Sequence, residues 1–148
     1  LALGWVVPWR SYWWGDVDME NLHIRTAIAI ALGAIPGALG RAYIGELTHA
    51  LVGEPFFYLG TAFVNGAGCF MIALFYTLRE QRLRTLAPEI GLAIATGFCG
   101  AFTTFSTYEL DTVTLIDRGD TTVALLYWFG SMTLGMVGVQ LGVAVGRY

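Results

Sequence analysis

Lysine is absent from this 148-residue chain, and only 13% of its residues carry charge, against roughly 25% in soluble domains. Eight arginines face eleven acidic residues for a net charge of −3. Without a basic patch, nucleic-acid binding is excluded. The only two cysteines, Cys69 and Cys99, sit inside apolar runs. That placement suits small buried residues and excludes a disulfide framework or a cysteine metal site. No carboxylate pair, no metal-spaced His/Cys set and no serine nucleophile elbow occurs, so a membrane enzyme has no support. Period-two alternation over ~10-residue segments is also missing, which excludes a membrane β-barrel. What is present is 56% hydrophobic and 14% aromatic residues, 19 glycines and a mean hydropathy of +0.63. This is a single-domain, all-α integral membrane protein.

Four uncharged runs organise the chain: Thr26 to Gly40 (continuing past Arg41 to Gly45), Pro55 to Leu78, Ile90 to Tyr108 and Thr121 to Gly146. About 20 mostly apolar residues cross the hydrocarbon core, so each run supplies one transmembrane helix, the first only if Arg41 lies near its end. The connections carry nearly all the charge. With an even number of spans, both termini and the second connection share a side. That side receives Arg25, Arg79, Arg82, Arg84 and Arg147, and the other receives Arg41 and Arg118. The positive-inside rule then puts the termini in the cytoplasm.

Ahead of the first span, Trp5, Trp9 and Trp13 recur beside Tyr12 and Trp14. They suit an interfacial anchor, although the favoured reading of residues 1–18 is a Trp-rich extension from a start placed too far upstream. Met19 immediately precedes the first span, so the four-helix domain is expected at 19–148. The apolar run before Arg10 is too short to span and lacks a small-residue cleavage site, unlike a secretory signal.

Glycines spaced four apart, Gly33/Gly37 and Gly138/Gly142/Gly146, are packing seams that let helices approach closely. The third run is different. Gly97-Phe98-Cys99-Gly100-Ala101-Phe102-Thr103-Thr104-Phe105-Ser106-Thr107-Tyr108 is a poor continuous helix. A break at Gly100-Ala101 would free backbone polar groups at membrane depth. Such groups are tolerated only inside protein or against a wet cavity or ion. Hydroxyls can also bond back to the preceding turn, but the density of this cluster favours function. Asn65 with Thr61 in the second run, and Tyr127 with Ser131 in the fourth, extend a neutral track of amide and hydroxyl groups. Such groups exchange for an ion's water without trapping it. Phe105 and Tyr108 share a helical face, and aromatic ring edges favour an anion.

These segments resemble the Fluc (CrcB) family of fluoride channels over roughly Met19 to Tyr148. The likeness is carried by Gly60-Thr61-Ala62-Phe63-Val64-Asn65-Gly66-Ala67-Gly68-Cys69-Phe70 and by Gly97 through Thr107. Weaker support comes from the glycine-rich first run ending at Arg41 and from Ala124-Leu125-Leu126-Tyr127. The resemblance implies four helices per subunit with the third broken, in an antiparallel, dual-topology homodimer with two fluoride pathways. It makes Asn65 a pore amide donor and Phe105 the first ring of a phenylalanine box, with Tyr108 at the second ring. Thr104, Ser106 and Thr107 fall in the adjoining hydroxyl stretch, and Tyr127 and Ser131 in the fourth-helix polar track. Carbonyls of Gly100 and Thr103 are implied to hold a structural sodium ion at the dimer centre, and Arg41 to stand at the pore entrance. The expected partners are fluoride, membrane lipid and a second, oppositely oriented copy or a paired homologue. The expected location is the bacterial inner membrane, and the expected role is passive export of fluoride. Three departures stand out: Tyr108 replaces a second Phe, Ala101-Phe102 replaces Gly-Leu, and Ala42 separates Arg41 from Tyr43.

Two other functions compete. A small dual-topology, proton-coupled exporter needs a titrating group within a span, yet no Asp, Glu, Lys or His interrupts the four runs. Glu46, Glu109, His23 and His49 lie at or beyond their ends. A purely structural packing protein requires the third helix to be unbroken.

Overall fold

A computed structural model of the chain describes residues 24–148. The expected Trp-rich extension, Met19 and His23 lie outside the described residues. Helix α1 is Ile24–Val52, α2 is Tyr58–Gln81 and α5 is Thr121–Arg147. Between α2 and α5 the chain runs through a composite α3 and then α4. In α3 an α-helical turn Pro88–Leu92 leads into a π-helical stretch Ala93–Cys99 and a last turn Gly100–Phe102. Helix α4 is Phe105–Asp117. Four spans, Ile24–Val52, Tyr58–Gln81, Pro88–Asp117 and Thr121–Arg147, are long and apolar enough to cross a bilayer, and the chain is a multi-pass membrane protein.

The helices pair α1 with α3 and α2 with α5, and glycine makes both pairings possible. A Cβ on Gly33 or Gly37 of α1 would run into the backbone carbonyls of Ala93 and Phe98, and one on Gly97 of α3 into that of Ile30. In the second seam a Cβ on Gly138 would stand 2.6 Å from the Gly66 carbonyl, and one on Gly146 2.7 Å from Thr77 Cβ. Backbone against backbone replaces the hydrophobic driving force that lipid does not supply. The seams anticipated at Gly33/Gly37 and Gly138/Gly142/Gly146 therefore exist, each with a defined partner. Outward faces are apolar, as lipid requires: Leu32, Ile35, Leu126 and Met136 are all exposed.

Two connections turn on glycines with positive φ, a conformation that L side chains rarely adopt. Gly53 (φ 78°) ends α1. Gly119 (φ 86°) ends α4, with its N–H on the Ile116 carbonyl and the Asp120 N–H on the Leu115 carbonyl. Those are the paired bonds of a Schellman stop. Pro88 opens α3 at a position where its missing N–H costs nothing.

Three expectations need correcting. Helix α1 runs on to Val52, so Arg41 is interior and Glu46 and His49 lie on the helix rather than in a connection. The third span does not end at Tyr108. It continues to Asp117, which brings Glu109 and Asp111 onto a membrane-spanning helix. Partners on α5 permit this: Trp128 Nε1 donates to Glu109 at 3.4 Å and the Tyr127 hydroxyl to Asp111 at 3.2 Å. Finally, Gly100 and Ala101 are helical, and the extended torsions fall at Thr103 (φ −82°, ψ 159°) and Thr104 (φ −150°, ψ 121°).

Candidate functional site

The two extended residues at Thr103-Thr104 are held from three directions. From α2, Asn65 clamps Thr104 on both backbone groups, its Nδ2 donating to the Thr104 carbonyl at 2.9 Å and its Oδ1 accepting the Thr104 N–H at 2.7 Å. This pairing also fixes which way the amide faces. From α1, Arg41 Nη1 donates to the Thr103 carbonyl at 3.4 Å. From α4, the Thr104 hydroxyl accepts the Thr107 N–H at 3.2 Å and donates to Thr107 Oγ1 at 3.0 Å, with Ser106 Oγ at 3.3 Å. Thr104 is thus the N-cap of α4, satisfying a donor that a helix start leaves open. Thr103 Oγ1 bonds back to the Cys99 carbonyl at 3.1 Å.

This arrangement takes carbonyls out of the helical ladder, that of Gly100 among them. In a continuous helix the Thr104 N–H would bond to Gly100, but here it goes to Asn65. A Cβ placed on Gly100 meets nothing within 4 Å, so that side of the chain is open. The neighbouring Gly68 of α2 has no such room, since a Cβ there would strike Thr103 Cγ2. Glycine on α2 is what lets Asn65 reach the interruption.

Beyond the interruption a row of rings follows α4 toward the connections. Phe105 and Tyr108 have centroids 5.8 Å apart, Tyr108 and Tyr127 5.3 Å, Tyr127 and Tyr58 5.1 Å, and Tyr58 and Phe57 5.7 Å. All four pairs are tilted or edge-on, as ring quadrupoles prefer. Phe105 is 72% exposed, whereas Tyr108 is buried. The Tyr108 hydroxyl turns to α5 and donates to the Trp128 carbonyl at 2.8 Å. Arg118 closes the row, 4.8 Å above the Phe57 ring.

Beside this row, α2 and α5 line an open cavity of about 350 Å³ with Tyr58, Leu59, Leu126, Tyr127, Ser131 and Leu134 on its wall. The Ser131 hydroxyl is buried there without a hydrogen-bond partner. A buried polar group left unpaired is costly and calls for an explanation. Tyr127 and Ser131 are therefore brought together on one wall. Asn65, Thr104, Ser106 and Thr107 cluster at the interruption, joined by Arg41 through Thr103. Phe105 and Gly100 face out of the subunit.

Asp111 was missed as a site residue. It is buried, and the Tyr127 hydroxyl donates to its Oδ2 at 3.2 Å. A signal for it existed. Tyr108, Asp111, Thr112 and Leu115 follow the i, i+3, i+4, i+7 pattern of one helical face, and all four are buried. Reading the charge as the end of the span hid the pattern.

The pattern of the CrcB-like protein, Camphor Resistance (CrcB) family matches residues 28–143. The chain belongs to the CrcB-like family. Among its relatives, a fluoride-specific ion channel FluC of Trichormus variabilis is 47% identical over 129 residues, covering 87% of this chain and 93% of that protein. The FluC of Synechococcus sp. is 40% identical over 129 residues (87% and 98% covered). That of Synechocystis sp. is 40% identical over 124 residues (84% and 94%). This CrcB-like chain thus spans nearly the full length of relatives that carry a channel name, and its interruption and ring row lie inside the matched region.

Proposed function

We propose that this chain is a subunit of a fluoride-selective channel that lowers cytoplasmic fluoride by passive electrodiffusion across the bacterial inner membrane. The carrying observation is 47% identity, over 87% of the chain, to a protein named as a fluoride-specific ion channel. The geometry supports this reading. Ser106 and Thr107 present neutral hydroxyls on an exposed face, Asn65 an amide and Phe105 an outward ring, while the Thr104, Tyr127 and Ser131 hydroxyls lie buried behind them. Fluoride binds water tightly, and a narrow file of such donors replaces that water without holding the ion too firmly to leave. Chloride is too large for the same file. One N–H of Asn65 is spent on Thr104, which leaves its second for an ion.

A single subunit presents only half of such a path, with Phe105 exposed and the Ser131 hydroxyl unpaired. The proposed assembly is an antiparallel pair of copies, or a pair with an oppositely oriented homologue, in which one subunit's ring faces its partner's polar wall. The same pairing would make room for a structural sodium ion. The Gly100 carbonyl loses its Thr104 partner to Asn65 on an exposed residue, and the Thr103 carbonyl spends one lone pair on a long bond to Arg41. Two such oxygens suit a hard cation as half of its shell, with a second copy supplying the rest. Sodium there would neutralise carbonyl dipoles and fasten the two subunits. Arg41, expected at the pore entrance, is held against this region by its bond to the Thr103 carbonyl.

Asp111 supplies the titrating group that the proton-coupled alternative requires, so the deciding experiment must test for coupling. Purified protein in liposomes, followed with a fluoride electrode, should release fluoride under an imposed voltage at a rate that a protonophore does not abolish. Chloride loss should be far slower. Flux that requires a proton gradient would convert the reading to an exporter, and impermeable vesicles would remove it. Phe105→Ile should sharply reduce flux without changing the melting temperature of the subunit, because the ring is exposed.

A further inference from the structure

The end of the molecule where α2 and α5 finish carries Arg79, Arg82, Arg84 and Arg147. The two helices lean together there through Gly146 and Thr77, and Arg82 Nη2 donates to the Tyr148 carbonyl. Arg84 Nε donates to the carbonyl of Glu80. Capping of helix C-termini explains one contact per guanidinium, since those ends expose orphan carbonyls and partial negative charge. Each such contact uses one of five N–H donors. Both side chains are otherwise exposed. Their backbone is fixed by a tight turn, with the Leu83 N–H on Leu78 and the Leu86 N–H on Leu83, each at 3.0 Å. They directly follow the end of a helix long enough to cross a bilayer, the position at which a span meets the headgroup layer.

Charge separates the two ends of the molecule. Among the described residues, Glu80 and Glu89 are the acidic groups that accompany the arginines here, whereas the other end carries Glu46, Glu54, Asp117 and Asp120 with Arg118. Arg118 is already engaged, 3.9 Å from Glu54 and over the Phe57 ring. The basic charge is entirely arginine, whose planar fork matches two phosphate oxygens at once.

We propose that Arg82 and Arg84 form a binding site for the phosphate of an anionic phospholipid headgroup, fastening this end of the chain to an anionic leaflet. The inference is independent of what the protein conducts. Its test is thermal unfolding of the full chain in detergent, titrated with phosphatidylglycerol, phosphatidylcholine or inorganic phosphate. Phosphatidylglycerol should stabilise the protein, and the double variant Arg82→Gln/Arg84→Gln should need about 25-fold more of it, about fivefold per arginine. Arg118→Gln should respond like the parent. An unchanged response of the double variant, equal stabilisation by phosphatidylcholine, or full reproduction by inorganic phosphate would each overturn the lipid site. A second readout needs no variant. Native mass spectrometry of the parent protein extracted from membranes should retain an anionic phospholipid, and its absence would also refute the proposal.

Discussion

The two halves of the third span meet their neighbours in opposite ways. Pro88–Phe102 lies against α1 through backbone, with Gly33, Gly37 and Gly97 allowing carbonyls to approach where a Cβ would collide. Phe105–Asp117 lies against α5 and α2 through side chains: Tyr108 to the Trp128 carbonyl, Tyr127 to Asp111, Trp128 to Glu109. In the first half, a side chain added at the α1 contact would collide with backbone. The second presents polar groups whose identity can vary while the helix stays in place. Widening to a π-helical turn at Ala93–Cys99 belongs to the rigid half, and such turns recur at functional sites. The extended pair Thr103-Thr104 marks the boundary between a half that fixes position and a half that offers chemistry.

The largest expected effect breaks the rigid half. In Gly97→Val the new Cβ would strike the Ile30 carbonyl and stand 3.0 Å from Gly33 Cα, both backbone atoms that cannot swing aside. Overpacking costs about 1–3 kcal/mol and more where backbone cannot yield, so the variant should yield little or no monodisperse protein by size-exclusion chromatography. Gly100→Ala provides the contrast, because its Cβ meets nothing within 4 Å. That subunit should fold and melt at or slightly above the parent temperature, since alanine gains about 0.5–1 kcal/mol over glycine in a helix. Equal damage from both substitutions would show that close approach is not what holds this half.

How much of this was legible in the sequence follows the same division. Uncharged runs located all four spans, and α5 matches its run almost to the residue because Asp120-Thr121 and Arg147 bracket it. Glycines four apart named their seams without naming what they touch. The ends of the third span were illegible, because charge stops a run only when no other helix satisfies it. Asp111 and Glu109 find their partners on α5, information that no local window holds. The position of the interruption was hidden for a similar reason. Glycine content pointed to Gly100, yet what draws the Thr104 N–H out of the helical ladder is an amide on α2, admitted by the absence of a side chain at Gly68. Asn65 was recognisable as a polar group at membrane depth, but its target was not.

A smaller effect is expected at the boundary itself. Asn65→Ala removes both bonds to Thr104 and leaves a buried N–H and carbonyl unpaired, a cost of about 2–4 kcal/mol. The melting temperature in detergent should fall, and fluoride efflux from liposomes should drop by at least about tenfold, the rate equivalent of 1.4 kcal/mol. Retained flux with a lowered melting temperature would make Asn65 a positioning residue alone. Unchanged values for both would show that the clamp does not hold the extended pair.

The mildest change tests whether the second half tolerates substitution. Tyr108→Phe deletes the hydroxyl that donates to Trp128 and keeps the ring between Phe105 and Tyr127. The Trp128 carbonyl lies within α5, where the helical ladder supplies its acceptor role, so losing the tyrosine leaves no orphan. Stability should therefore fall by only about 1 kcal/mol. Fluoride flux should change by less than about fivefold, the rate equivalent of that energy. The substitution also restores the phenyl ring implied by the resemblance, and the buried ring should stay in place by packing alone. A collapse of flux with intact folding would mean that the hydroxyl itself holds Tyr108 in a conducting position, placing this part of α4 with the rigid half.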